Sequence, residues 1–133
     1  MKHYALAGLR IFLGIVFVFY AAIKFLGIQF PKMEIDQNLN QIDGVSLVWY
    51  FFGYSQHYMI VVASGELLTG IRIAVPKTTK IGVLFYLPFA LNIAAVNWFF
   101  DLPYDVKILS AFLALSSFYL LINDLSAYKK LLA

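Results

Sequence analysis

The chain has 133 residues, enough for one domain, and 62% of them are hydrophobic against 13% charged, where ordinary soluble domains carry roughly 45–50% and about 25%. A soluble globule this small leaves most of its surface exposed, so the apolar excess faces lipid, a partner, or both. No cysteine is present, which excludes disulfides, thiolate nucleophiles, iron–sulfur ligation and covalent haem attachment; the net charge of +3 comes from cations in short loops, with no basic patch or nucleic-acid motif.

A helix crosses the hydrocarbon with about 20 residues at about 1.5 Å each. The first span is predicted from Tyr4 to Ile28. Lys2 leads into an apolar run, but Arg10 interrupts it and no small-x-small cleavage site precedes Lys24, so the segment reads as a retained helix rather than a secretion signal. Arg10, Gly14, Phe17, Ala21 and Lys24 recur at alternating four- and three-residue steps and so form one stripe, with Gly14 and Ala21 as packing positions that admit a neighbouring helix.

The connector from Pro31 to Gly53 is the only one long enough for structure of its own. Within it, Val45 to Tyr54 is too short to span and is predicted to lie in the interface as a short helix, or to dip back against the bundle. It is either a membrane anchor for the loop or a lid over a site.

The second span runs from His57 to Val75, with Glu66 near its middle and Ala63, Thr69, Gly70 and Ile73 on the same face. The third covers Ile81 to Phe100, with Pro88 and Asn92 on one face and Ala90, Ala94 and Asn97 on another. The fourth covers Tyr104 to Asn123 and carries Ser110 and Ser117. Pro76–Lys80 and Asp101–Pro103 are the short connectors.

Lys2, Arg72, Lys77, Lys80, Lys129 and Lys130 fall on one side; Lys32 and Lys107 share the other with Glu34, Asp36, Asp43, Asp101 and Asp105. The positive-inside rule makes the first side cytoplasmic. The expected architecture is therefore an all-α, four-helix transmembrane bundle, N-in and C-in, multi-pass in a bacterial inner membrane. Trp49, Tyr50, Tyr54, Tyr58, Trp98 and Tyr104 then sit at the outer headgroup level, where amphipathic rings concentrate.

Arg10, Lys24 and Glu66 are ionisable residues within these spans. Each costs on the order of 2.5–3.5 kcal/mol on insertion scales unless paired or carried to the interface. Counting rise places Glu66 between Arg10 and Lys24 in depth. Lys24, with its long inward-reaching stem, is the favoured partner and Arg10 the second. Glu66, Lys24, Arg10 and Asn92 are the candidate site: either a structural network that fixes helix register, or the lining of a pocket or ion path.

No metal or haem site is expected. His3 and His57 fall on opposite sides, and no ExxH or HxxxH spacing accompanies Glu66. No nucleophile–base pair or phosphate loop is readable, so the chain does not read as an enzyme acting alone.

Leu9-Arg10-Ile11-Phe12-Leu13-Gly14, with Phe17 and Ile23-Lys24-Phe25 beyond it, resembles the opening "R-x-x-x-G … F … K" helix of DoxX-like proteins. Gly65-Glu66-Leu67-Leu68-Thr69-Gly70 resembles their second-helix "E-x-x-x-G" signature, and Asn97-Trp98-Phe99-Phe100-Asp101-Leu102-Pro103 resembles bacterial members. The Glu66 and Lys24 motifs are also similar to those of a distant eukaryotic relative, the nicotinic-receptor assembly chaperone. The matching positions are Arg10, Gly14, Lys24, Glu66 and Gly70. The resemblance implies a four-helix fold and two kinds of role. One is a binding or accessory subunit, for a quinone-like ligand or a membrane redox complex; the other is an assembly chaperone for client helices. It supplies no cofactor-ligand motif. The expected partners are the lipid bilayer and other membrane proteins or further copies of the chain. A pocket opening beside Lys24 and Asn92 points to the first role, and an exposed small-residue groove to the second.

Overall fold

Helix α1 (Lys2–Phe25) ends where Gly27 takes a positive φ of 69°, a conformation that costs glycine little. The amide of Gly27 donates to the Lys24 carbonyl and that of Ile28 to the Ile23 carbonyl, the paired bonds of a Schellman stop. The first span therefore closes three residues short of Ile28. The computed structural model describes residues 1–133, the side chain of Leu132 apart.

After a 3₁₀ turn at Leu39–Gln41 comes α2 (Gly44–Tyr54), the short helix expected in the first connector. Asp43 caps it, accepting from the Ser46 amide at 2.9 Å and the Ser46 hydroxyl at 2.7 Å. Helix α3 (Gln56–Ala74) opens on Ser55, whose hydroxyl accepts from the Tyr58 amide at 3.2 Å. It stops because Val75 precedes Pro76 and is extended, as a residue before proline prefers. Thr78 and Thr79 then donate to carbonyls at the end of α3, Thr78 Oγ1 to Arg72 and Thr79 Oγ1 to Val75, each at 2.9 Å. These bonds satisfy acceptors that a helix end leaves open.

Helix α4 (Thr79–Phe99) and helix α5 (Tyr104–Asn123) form a hairpin, and α6 (Leu125–Leu132) follows. The chain is all-helical, with no strand among the described residues. Three helices, α1, α4 and α5, are long and apolar enough to cross a membrane. Helix α3 is 19 residues long but is diluted by Gln56, His57, Glu66 and Arg72.

Helix α1 packs along α3, α3 along α4, and α4 along α5. The core runs through Leu13, Phe17, Ile73, Val83, Tyr86, Ala90 and Leu113. Phe17 stacks on Tyr86 with centroids 3.8 Å apart, and the Tyr86 hydroxyl donates to the Leu13 carbonyl at 3.1 Å. Helix α2 lies across one end of this bundle. Gly44 abuts the Phe100 backbone, and a Cβ on Gly53 would meet the Pro31 carbonyl at 2.5 Å.

Candidate functional site

Side chains on a helix lean toward its N-terminus. Helices α1 and α3 run antiparallel, so Lys24 near the end of α1 leans toward mid-bundle and Glu66 leans up to meet it. The Lys24 ammonium donates to both carboxylate oxygens of Glu66, at 3.0 and 2.9 Å. Only 6% and 2% of the two side chains remain exposed. Such charge-assisted, two-point contacts are the strong class of hydrogen bond. The ring centroids of Tyr20 and Phe30 lie 5.3 and 5.8 Å from the ammonium, close enough for cation–π attraction.

A few residues toward the other end of the seam, α1 and α3 touch through backbone. A Cβ on Gly14 would fall 2.6 Å from the Gly70 carbonyl, and one on Gly70 would fall 2.9 Å from the Gly14 carbonyl. Ala21 is fully buried on the same stripe. Gly14, Gly70 and Ala21 thus set the spacing at which Lys24 and Glu66 can meet.

Arg10 and Asn92 are not part of this network. Arg10 donates to the Thr79 hydroxyl at 2.8 Å, at the first residue of α4. About 12 Å of α1 precedes that level, so Arg10 sits at the end of the bundle rather than deep within it. Counting depth from Tyr4 overlooks this overhang. Asn92 is exposed. It follows the buried Ala90 by two residues, about 200° around a helix, which turns it to the outside.

Two groups carry weight that the sequence reading did not give them. Lys107 is 8% exposed, ion-paired with Asp101 and 5.8 and 5.7 Å from the ring centroids of Trp98 and Tyr104. The six-residue Asp–Lys separation, with Trp98 before it and Tyr104 within it, was its signal. Tyr86 closes the bottom of the seam by stacking on Phe17; its place four residues before the small Ala90 was a weaker one. No group of three or more metal-ligating side chains occurs among the described residues.

On the outside of the α1–α3 seam lies a groove of about 420 Å³. Gly14, Ala22, Gly70 and Ala74 form its floor and Ile15, Phe19 and Ile71 are among its walls. A second groove of about 360 Å³, beside α2, is lined by Tyr50, Phe51, Tyr54 and Tyr58. Lys24 and Glu66 line neither.

No family model and no solved structure matches the chain. It is similar to the uncharacterized protein YwoB of Bacillus subtilis (strain 168), 30% identical over 96 residues that make up 72% of this chain and 62% of that protein. The match therefore spans less than two thirds of the relative's length.

Proposed function

We propose that the chain is a multi-pass protein of a bacterial cell membrane, with α1, α3, α4 and α5 as four spans, both termini cytoplasmic and α2 in the outer interface. Its role is that of an accessory or assembly subunit that docks a helix of another membrane protein on the α1–α3 face. The pairing of Glu66 with Lys24 supports α3 as the fourth span, because it gives the buried carboxylate the compensating partner that a charge at membrane depth needs. Of the five positions that carry the resemblance to DoxX-like proteins, Gly14, Lys24, Glu66 and Gly70 lie on one seam, which supports that resemblance and suits these four to building the seam; the fifth, Arg10, bonds to Thr79 instead.

The carrying observation is the α1–α3 groove itself. It is open along its length, apolar and floored by small residues, the features that let helix backbones approach closely in lipid. A lipophilic quinone beside Lys24 is less well supported. Two of the three ammonium donors there go to Glu66, and aromatic rings cover the cation.

A photoreactive residue in place of Ile15, in native membranes, is expected to yield a discrete protein adduct, and Ala22→Phe, which fills the groove from an exposed position, is expected to abolish it. An adduct that survives purification marks a resident accessory subunit; one seen only during synthesis marks a chaperone. Adducts with lipid alone would refute the reading.

A further inference from the structure

Helix α4 crosses the apolar layer with one polar side chain turned outward. Asn92 is exposed, together with Leu84, Phe85, Pro88 and Leu91 on the same side of the helix. Thr79, Tyr86 and Asn97 supply the side-chain hydrogen bonds of α4, and Asn92 makes none among the described residues. It lies six residues before Trp98, about 9 Å below an aromatic that marks the interface. At that depth no water is present to satisfy an amide. A second polar group shares the face: Pro88 has no N–H, so the Leu84 carbonyl lacks its usual helical donor.

We infer that this face of α4 is an interface between two copies of the chain, closed by reciprocal hydrogen bonds between their Asn92 amides. A carboxamide both donates and accepts, so it is its own complement. Two copies inserted in the same orientation are related by a two-fold axis along the membrane normal, and such an axis brings identical residues to the same depth. A different protein would need a matching polar group at that depth by coincidence. The inference rests on α4 crossing the membrane; it requires neither the docking role of the α1–α3 groove nor the cytoplasmic placement of the termini.

The absence of native cysteine makes disulfide trapping clean. Leu91→Cys, oxidised in native membranes, is expected to give a dimer of the chain, whereas Leu115→Cys on the outward face of α5 is expected to stay monomeric. Interhelical bonds of this kind contribute about 0.6–2 kcal/mol in membranes, so Asn92→Leu is expected to weaken self-association roughly 3- to 30-fold, at about 1.4 kcal/mol per tenfold. Asn92→Gln should restore most of it, which separates amide pairing from folding, as should an unchanged thermal midpoint for Asn92→Leu. Equal trapping at Leu91 and Leu115, trapping undiminished by Asn92→Leu, or a Leu91→Cys disulfide to a different protein would each overturn the inference.

Discussion

Lys24 and Glu66 come from helices that meet across a glycine pair, so neither charge has water to fall back on once the seam forms. Removing one partner of a buried pair strands the other and typically costs about 3–5 kcal/mol, while replacing both with apolar residues is often nearly neutral. Glu66→Leu and Lys24→Leu are each expected to lower the thermal midpoint in detergent, and the double variant to regain much of the loss. Glu66→Gln keeps an acceptor and should lose less than Glu66→Leu. Strictly additive losses would show that the two side chains do not stabilise each other. The glycines give a second contrast. A methyl on Gly14 would meet the Gly70 carbonyl, whereas one on Gly8 would meet nothing within 4 Å. Gly14→Ala is expected to destabilise by about 1–3 kcal/mol through overpacking. Gly8→Ala should be neutral or gain up to about 1 kcal/mol of helix propensity; equal effects at the two sites, read by the same thermal melts, would deny the close approach.

At the scale of elements, α2 is held by its first turn and its two glycine contacts. The Asp43 carboxyl lies below its ordinary value of 3.8 because the hydroxyl and amide of Ser46 donate to its charged form. A depressed carboxylate contributes stability above the unfolded value and loses it as pH falls through the folded one. Acidification below that ordinary range should therefore fray α2, read as a shift in Trp49 fluorescence. Asp43→Asn, which keeps a capping oxygen, should remove the pH dependence without removing the helix. How much of this was legible in the sequence varies with the kind of signal. Helix α5 is bounded by Pro103 and Asn123 as its apolar run suggests, and α2 is where a short amphipathic aromatic stretch placed it. The Lys24–Glu66 pair was readable because charges inside apolar helices have few permitted partners. Helix α6 was not, since eight residues with two lysines look like a solvated tail. Its anchor is the Tyr128 hydroxyl, which donates to the Lys80 carbonyl at 3.1 Å across 48 residues. Asn92 and Arg10 were misplaced for a related reason. Periodicity gives the face of a residue relative to its own helix, but which face turns inward and how far helices overhang depend on the neighbours.

For the whole molecule, charge is segregated along the bundle axis. Arg10, Lys77, Lys80, Lys129 and Lys130 gather at the end of the bundle where α3 meets α4 and α6 folds back, with the start of α1 extending beyond it. Among the described residues the one acid side chain there, Asp124, is taken by Lys80 at 3.6 Å. Glu34, Asp36, Asp43, Asp101 and Asp105 lie toward the other end, where α2 spans from Phe100 to Pro31. Cations resist translocation and set orientation, while acids contribute little, so the proposed topology puts the cation-rich end in the cytoplasm. Single cysteines at Asp43 and Asp101 should react with an impermeant maleimide in intact cells, and those at Thr78 and Lys130 only after permeabilisation. The four positions also test α3 as a span. Asp43 lies before α3 and Thr78 after it, so a helix that merely rests on the surface would leave both on one side. Labelling of Thr78 in intact cells together with Asp43 would remove α3 from the membrane and leave three crossings; labelling of Thr78 and Lys130 without Asp43 and Asp101 would invert the protein.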